Sequence, residues 1–514
     1  MKETQILILD FGSQYTQLLA RRTREQEVFA EVVNLNITYD KIKKDYKNLK
    51  GIILSGGPSS AYDQNAYSVD PKIFELDIPI LGVCYGMQLM TTIFGGEVEL
   101  AANQEFGKSK IYFDVDNCPL FKNITNGTQV WMSHADHVTK LPADFVLTAH
   151  SDSSVAVIWN NKMNLYGIQF HAEVTHSVDG LQMIKNFLFD ICKCDPNWKI
   201  ANFVRDTMEQ IKLTVGNKNV ILGLSGGVDS SVVAALISKA IGQQLTCIFV
   251  DTGLLRKNEA KNVMDAYNDN FNINIKLIDA ANIFFEKLKN VTDPEEKRKI
   301  IGAEFINIFN QEAKKIKNVT FLAQGTIYPD VIESSSINHS SKTIKSHHNV
   351  GGLPEEMELT LLEPIRLLFK DEVRKVGMEL GLPERLVMRH PFPGPGLGIR
   401  VIGEVTEEKC NILKDADAIF IEEMYKNNLY DATSQAFVTL LPVKTVGVMG
   451  DNRTYEFVAA LRCVETIDFM TATESHLPWD FLSDVANRII NEVDGINRVV
   501  YDITSKPPGT IEWE

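Results

Sequence analysis

Short apolar segments recur along the first two-thirds of the chain, and helical patterns separate them. Seven are candidate strands: QILILD (5–10), GIILSG (51–56), IPILGV (78–83), YGIQFH (166–171), NVILGL (219–224), LTCIFVD (245–251) and VTFLAQG (319–325). Continuous apolar strands that alternate with helices are typical of parallel sheets covered on both faces. The pattern predicts an α/β fold whose ligands bind at the carboxyl ends of the strands.

Two breaks divide the 514-residue chain into three predicted domains. The strand–helix pattern stops near CKCDPNW and restarts at NVILGL, and a second break is the Pro/Gly-rich stretch HPFPGPGLGIR. The segments beyond that stretch are rich in β-branched residues, which indicates a smaller α+β unit. We therefore predict doubly wound α/β domains at 1–195 and 196–390, followed by a small α+β domain at 391–514.

The bulk composition excludes some classes of partner. A formal net charge of −15 disfavours binding to nucleic acid or to an anionic membrane. Seven cysteines occur without zinc-site spacing, which fits a reducing cytoplasm. We see no signal-peptide pattern and no run of about 18 apolar residues, so we expect a cytoplasmic protein without a membrane span.

Cys84 follows the third apolar segment and precedes a helical pattern. A thiol on such a strand-to-helix turn is exposed and lies near the positive end of a helix dipole, and both effects raise its reactivity. Gly82 and Gly86 are small enough to permit the turn. A lone cysteine is nevertheless more often a buried core residue, so the interpretation depends on partners elsewhere in the chain.

The segment YGIQFHAEV supplies such partners. Strand alternation through this segment would place Gln169, His171 and Glu173 on one face. An imidazole that takes a proton from a thiol needs a carboxylate to hold its tautomer. The alternative is a solvent-facing polar edge, which leaves the apolar opposite face unexplained.

Residues 1–190 resemble the class I glutamine amidotransferases, because LSGGPSS, GVCYGMQ and GIQFHAE occur in the order of that family. The resemblance implies that Cys84 is the nucleophile on the side-chain amide of glutamine. It implies that His171 acts as base and then as acid, and that Glu173 orients it. The products would be glutamate and ammonia.

The glycines of LSGGPSS let backbone N–H groups point inward and form an oxyanion hole with the N–H of Tyr85, although Ser-Gly-Gly-Pro alone is only a turn signal. The family resemblance adds Gln88 and the segment WMSHAD (131–136) to the glutamine site. The predicted oxyanion and glutamine contacts are Gly57, Tyr85 and Gln88.

The segment VILGLSGGVDSSVVAAL (220–236) predicts a strand, a Gly-rich loop and a helix. Such a loop offers backbone N–H groups to an anion at a helix N-terminus, but no lysine follows the glycines as in a Walker loop. SGG alone indicates only a turn; the full string resembles the pyrophosphate loop of N-type ATP pyrophosphatases. The resemblance implies ATP as co-substrate and Mg²⁺ held by Asp229. The implied ATP contacts are Ser225, Gly226, Gly227, Val228, Asp229, Ser230 and Ser231.

The order of the three predicted domains resembles that of the GMP synthetase family. Motifs from EEKRKIIG (295–302) to KPPGTIEWE (506–514) extend the resemblance over essentially the whole chain. It implies that XMP, ATP, glutamine and water give GMP, AMP, pyrophosphate and glutamate, and that the C-terminal domain forms a homodimer. The implied XMP contacts are Arg298, Gln435, Lys506 and Glu512.

Two segments carry the less specific assignments. The terminal motif would otherwise be a disordered tail, but Ile511 and Trp513 provide apolar anchors. The stretch SKTIKSHHNVGGLP has the composition of a lid that closes over charged substrate, and a solvated loop is its alternative. Predicted residues for ATP, Mg²⁺ and XMP activation are Asp330, Glu333 and Lys345.

Other functions remain open at this point. The same phosphate loop occurs in NAD⁺ synthetases, asparagine synthetases and tRNA-modifying thiolases. The position of Cys84, the terminal motif and the acidic net charge each argue against one of these enzymes. A catalytically silent glutamine-binding protein would be expected to lack one of the predicted catalytic positions, and none is missing here.

Overall fold

The structure is a computed structural model in two compact units, one ending at Asn202 and the other beginning at Phe203. It describes residues 3–63, 66–270, 273–336, 359–449, 452–466, 469 and 471–514, without the side chains of 266, 268–270, 333–336 and 449. Each unit is described by itself below.

The first unit contains short, almost wholly apolar strands together with longer strands that carry polar residues. Its strands are β1 (Ile6–Asp10), β2 (Ala30–Asn34), β3 (Gly51–Leu54), β4 (Ile80–Val83), β5 (Glu97–Lys110), β6 (Tyr112–Phe113), β7 (Gln129–Lys140), β8 (Val146–His150), β9 (Val155–Asn160) and β10 (Leu165–Ile168). Its helices are α1 (Thr16–Glu25), α2 (Tyr39–Asp45), α3 (Tyr85–Ile93) and α4 (Gly180–Lys185).

Eight of these strands form one sheet in the order β2-β1-β3-β4-β10-β9-β8-β6. The strands from β2 to β10 are parallel neighbours, and the pairs from β10 to β6 are antiparallel. Strands β5 and β7 form a separate antiparallel pair. The four apolar segments predicted in this unit are therefore parallel strands, and the predicted α/β class is confirmed.

One predicted strand ends earlier than expected. Strand β10 stops at Ile168, opposite Val83 at the end of β4. Beyond this pair the neighbouring chain turns into α3, so β10 loses its parallel partner and residues 169–173 leave the sheet in bends and turns. The expected strand alternation that would align Gln169, His171 and Glu173 is therefore wrong.

The second unit contains a parallel sheet followed by a largely antiparallel one. Helix α5 (Ile200–Val215) begins just before the unit boundary and continues into the second unit. The other helices of this unit are α6 (Val228–Ile241), α7 (Glu259–Asn270), α8 (Ala281–Lys287), α9 (Pro294–Lys314), α10 (Tyr328–Ser336), α11 (Lys370–Glu379), α12 (Glu384–Val387), α13 (Glu407–Lys426) and α14 (Trp479–Glu492). Its strands are β11 (Asn219–Leu224), β12 (Leu245–Asp251), β13 (Asn274–Asp279), β14 (Val319–Ala323), β15 (Thr360–Leu362), β16 (Gln435–Met449), β17 (Asn452–Glu465), β18 (Thr473–Glu474) and β19 (Ile496–Asp502). Within the described ranges, no helix is both long and apolar enough to cross a membrane.

The parallel sheet has the order β13-β12-β11-β14-β15, and β17 of the second sheet pairs with β16, β18 and β19. One hydrophobic core joins the two sheets, since it contains Ile221 and Ile248 together with Leu397, Phe420 and Leu461. The domain boundaries near 195 and 390 stay predictions.

The turn from β4 into α3 depends on the absence of a side chain at Gly86. A Cβ atom there would overlap the carbonyl oxygen of Leu54 on the neighbouring strand, and one on Gly82 would lie 2.6 Å from the carbonyl carbon of Gly86. The start of the helix therefore packs directly against the sheet backbone.

We expect Gly86→Ala to destabilise the first unit by about 1–3 kcal/mol, because the added methyl group meets backbone that cannot rotate away. Gly302→Ala is the matched control, since no heavy atom lies within 4 Å of its Cβ position and alanine favours the helix. Hydrogen exchange at increasing urea concentrations measures each unit separately. Unchanged exchange in Gly86→Ala would contradict the packing argument.

Candidate active sites

Cys84 occupies the predicted strand-to-helix turn. It is the single residue between β4 and α3, and its φ of 51° lies in a region that side chains with a Cβ rarely adopt. Its N–H donates to Ile168 O (2.7 Å). The residue is only 6% exposed, so the expected exposure of the thiol is wrong. The Ser133 carbonyl oxygen (3.8 Å) and the Gln169 amide (3.7 Å) lie next to the sulfur.

His171 and Glu173 form a buried pair although they do not lie on a strand. Their Nδ1 and Oε1 atoms are 2.7 Å apart, and the side chains are 5% and 1% exposed. The turn that joins them is fixed from outside, because Ser177 Oγ donates to His171 O (2.6 Å) and Arg22 Nε donates to Glu173 O (3.0 Å). Because Nδ1 is held by the carboxylate, Nε2 remains for the thiol.

The imidazole of His171 is electrostatically tuned. Burial favours its neutral form, but the charge of Glu173 and hydrogen bonds with Cys84 and Glu173 outweigh this effect and raise the pKa of His171 well above its ordinary value. The raised pKa favours the protonated imidazole of His171, which can serve as a proton donor. The three side chains can supply a sulfur nucleophile, an imidazole that transfers protons and a carboxylate that orients it.

The predicted glutamine contacts lie around the same thiol. Gln88 is buried, and its Nε2 atom donates to Asp136 O (3.0 Å) and to Gln169 Oε1 (3.3 Å). A Cβ on Gly57 would lie 3.4 Å from the ring of Tyr85, so Gly57 lies close to the residue that follows Cys84. The WMSHAD segment and Gln169 are thus brought to Cys84 by the fold.

The phosphate-loop segment forms a compact turn between β11 and α6. Gly226 has a φ of 74°, which favours glycine. The hydroxyl oxygens of Ser225 and Ser230 are 3.0 Å apart, and Ser231 Oγ donates to Gly227 O (2.8 Å). The side-chain hydroxyls thus stabilise the loop. The first N–H groups of α6 lie at the positive end of the helix dipole, where an anion can bind.

Two basic residues that the sequence reasoning missed contact this loop. Lys370 Nζ donates to both carboxylate oxygens of Asp229 (2.8 and 2.7 Å). Arg389 donates to Gly226 O (2.6 Å) and to Glu259 Oε1 (2.6 Å). In the sequence these residues lie in the short segments KDE (370–372) and MRH (388–390), which do not by themselves indicate a contact with the loop. Among the described residues, no group of three or more metal-ligating side chains is arranged to hold an ion.

Three of the four predicted XMP residues meet at the terminal segment. Gln435 Nε2 donates to Glu512 Oε1 (2.7 Å), and Arg298 Nη2 donates to Glu514 O (2.6 Å). The Lys506 ammonium instead donates to Phe469 O (2.7 Å).

Only one of the two predicted apolar anchors of the terminal motif (506–514) is buried. Ile511 is buried against Phe437, Val464 and Ala472. Trp513 is 40% exposed, so its expected role as an anchor is wrong.

Of the three residues predicted to take part in ATP, Mg²⁺ and XMP activation, Asp330 is the one whose side chain is described. The Asp330 carboxylate accepts a hydrogen bond from Ile327 N (3.0 Å) at the start of α10. Glu333 belongs to the same helix, but its side chain lies outside the described residues, as does all of Lys345. Their roles stay predictions.

Comparison with known proteins identifies the family. Three family models match separate segments: Glutamine amidotransferase class-I at 7–191, NAD synthase at 198–306 and GMP synthase C terminal domain at 422–513. The chain is 66% identical over 514 residues to the GMP synthase [glutamine-hydrolyzing] of Mesoplasma florum and 64% identical over 514 residues to that of Fusobacterium nucleatum, with 100% of both chains covered in each case. The chain belongs to the glutamine-hydrolysing GMP synthase family.

Membership of the GMP synthase family confirms the predicted family and enzyme class. The agreement is not confined to one half, because the GMP synthase [glutamine-hydrolyzing] of Vibrio parahaemolyticus is 54% identical over 100% of this chain and 99% of its own. A GMP synthase assignment is therefore favoured over the NAD⁺ synthetase, asparagine synthetase and thiolase alternatives.

The raised pKa of His171 predicts a pH-dependent stability. The folded first unit retains this proton at a pH where the unfolded chain has lost it, so the stabilisation is full below about pH 6.5 and is lost as the pH rises through the folded pKa. The free energy of unfolding should fall by up to about 1.4 kcal/mol per pH unit in this window. Urea-dependent hydrogen exchange measures this slope.

His171→Asn should remove that part of the slope. The matched control is His176→Asn, because His176 lies close by but is exposed. An identical slope in wild type and His171→Asn would show that this proton does not stabilise the folded unit.

Proposed function

We propose that the chain synthesises GMP from XMP. In this proposal, the first unit releases ammonia from glutamine, and the second unit uses ATP to activate the XMP oxygen that ammonia replaces. The observation that carries the proposal is the buried Cys84–His171–Glu173 group in a chain that matches glutamine-hydrolysing GMP synthases over its full length.

Glutamine hydrolysis follows from the chemistry of this group. His171 takes the thiol proton of Cys84 as the sulfur attacks the side-chain amide carbon, and it then gives this proton to the departing ammonia; Glu173 stabilises the imidazolium. His171 then takes a proton from the water that hydrolyses the thioester, and glutamate leaves. Backbone N–H groups at Gly57 and Tyr85 are proposed to stabilise the oxyanion, and Gln88 to position glutamine.

ATP activation is assigned to the loop from Ser225 to Ser231. Its N–H groups and hydroxyls would hold the pyrophosphate portion of ATP while the XMP oxygen attacks the α-phosphorus. Pyrophosphate leaves, and ammonia then displaces AMP to give GMP.

Mg²⁺ is the proposed cofactor of this step. Asp229 fits this ion as its one protein carboxylate, because Mg²⁺ commonly takes one or two carboxylates together with phosphate oxygens. When bound, the ion would offset the phosphate charge. Lys370 already contacts both Asp229 oxygens, so the carboxylate would be shared between the two cations.

XMP binding is assigned to Arg298, Gln435, Lys506 and Glu512. Arg298 and Lys506 would pair with phosphate, and Glu512 would accept a hydrogen bond from purine N–H. The contacts of Gln435 and Arg298 with the terminal segment support this assignment. Further proposed contributors to ATP, Mg²⁺ and XMP activation are Asp330, Glu333 and Lys345.

The chain is further proposed to act as a cytoplasmic homodimer. Val446, Val448 and Tyr455 on the paired strands β16 and β17 are 46%, 76% and 65% exposed. Val446 and Tyr455 are direct cross-strand neighbours. Exposed apolar side chains that cluster in this way are typical of an interaction surface.

Two substitutions separate the half-reactions. Cys84→Ala should abolish GMP formation from glutamine but preserve it with ammonium salts, because the thiol acts only on glutamine. Asp229→Ala should impair both routes, since activation of XMP precedes amination. GMP formation is measured with glutamine or ammonium as the nitrogen donor, and Cys118→Ala is a matched control for loss of a buried thiol.

The outcomes also test the assignment itself. Normal ammonia-dependent turnover in Asp229→Ala would show that Asp229 is misassigned. AMP release with deamido-NAD⁺ but not with XMP would overturn the proposed function in favour of an NAD⁺ synthetase.

Tyr455→Glu should convert the dimer to a monomer, because it introduces a charge into the proposed apolar interface. Sedimentation velocity at micromolar concentration measures the change in mass. Leu213→Lys is the control, since Leu213 is 77% exposed on α5, outside β16 and β17. A monomeric wild type, or a Tyr455→Glu dimer, would exclude this interface.

A further inference from the structure

Two fully buried cations meet the segment that ends at Glu514. Arg400 and Lys297 are both 0% exposed, although Arg and Lys side chains are rarely buried unless they are paired. Arg400 pairs with Glu512, and Lys297 pairs with Glu514. Two desolvated positive charges therefore contact the same short stretch of chain, residues 512–514.

The Arg400 guanidinium is fixed on several sides. Its Nε donates to Glu512 Oε2 (3.0 Å) and its Nη2 donates to Glu512 Oε1 (2.8 Å). The rings of Phe392 and Phe437 lie 5.1 and 4.0 Å from its central carbon. This fork can satisfy a carboxylate in one orientation only, so Arg400 sets the direction in which Glu512 points.

Gln435 completes the environment of Glu512. Its Nε2 atom donates to Glu512 Oε1, which also accepts from Arg400. A carboxylate offers about four acceptor positions, and three of them are occupied by these two side chains. The remaining position is on Oε2, and the side chain is 17% exposed. Glu512 can therefore accept one more hydrogen bond, with a defined direction.

Lys297 fixes the other end of the segment. Its ammonium binds the Glu514 carboxylate and donates to Val401 O (2.9 Å). Gly403 N donates to the second carboxylate oxygen of Glu514 (3.0 Å). The neighbouring Arg298 binds the backbone oxygen of the same residue, so α9 holds Glu514 through two consecutive side chains.

We propose that Arg400 and Lys297 are positioning residues for the purine nucleotide. They fix the segment at Glu512 and Glu514. The one remaining acceptor position of Glu512 is thereby directed at a single N–H group of the purine base, and Arg298 is held next to the same segment. This inference rests on the proposed function, in which Glu512 and Arg298 contact XMP. The assigned role of each cation is to act through its carboxylate partner.

A double-mutant cycle tests the role of Arg400. The single variants are Arg400→Lys, which keeps the charge but loses the fork, and Glu512→Gln; KM for XMP, KM for ATP and kcat are measured with ammonium as nitrogen donor. We expect Arg400→Lys to raise KM for XMP about tenfold or more, which corresponds to about 1.4 kcal/mol. KM for ATP should stay within about twofold of wild type, because the ATP loop does not depend on this pair.

The decisive result is the double variant. If Arg400 acts through Glu512, Arg400→Lys should raise KM for XMP by less than about twofold in the Glu512→Gln background. Effects that multiply, or equal rises in KM for XMP and ATP, would overturn the proposal. Arg488→Lys is the matched control, because Arg488 makes the same two-bond fork with Glu492 elsewhere and should leave all three constants unchanged.

Two further variants test the role of Lys297 and provide for the case in which Arg400→Lys does not fold. If Arg400→Lys does not fold, Glu512→Asp withdraws the carboxylate from the fork instead, and wild-type KM for XMP in that variant would overturn the proposal. Glu514→Gln should also raise KM for XMP selectively, and an unchanged KM would exclude the Lys297 role. Wild-type chain that forms no GMP from XMP would instead refute the proposed function, so the two failures are distinguishable.

Discussion

The contact between the start of α3 and the backbone of β3 is the constraint on which the first site depends. Because Gly86 has no side chain, the helix begins directly against Leu54, and Cys84 must reverse direction within one residue. That turn ends β4, removes the parallel partner of β10 and releases His171 and Glu173 from the sheet. The steric requirement at Gly86 thus places the thiol, and the contacts of Ser177 and Arg22 hold its partners.

Charged contacts fix two functional segments of the second unit. Lys370 and Arg389 brace the phosphate loop, and Arg400 and Lys297 fix the terminal segment. Burying a charge is costly unless a partner is placed to compensate it. The buried pairs of Arg400 and Lys297 therefore restrict where residues 512–514 can lie, which is a positional rather than a purely stabilising effect.

The sequence predicted the parallel strands well because buried strands carry their signal locally, as β1 and β11 show. It predicted the partners of Cys84 for the wrong reason: His171 and Glu173 meet through a turn that Ser177 and Arg22 hold. Strand alternation could not reveal this, since both holding contacts are tertiary. The burial of the Cys84 thiol was not predicted either, because its neighbours Ser133 and Gln169 are also brought to it by tertiary contacts.

The missed basic residues show where local reasoning ends. Lys370 is 141 residues from Asp229, and Arg400 is 112 residues from Glu512, so no motif contains both members of either pair. The net charge of −15 describes the chain as a whole, but a ligand meets only the potential of its own pocket. Carboxylates that are already paired with buried cations add little negative potential there. A chain with a net negative charge can consequently bind phosphorylated substrates. Its basic residues lie beside the carboxylates that would otherwise repel the phosphate groups.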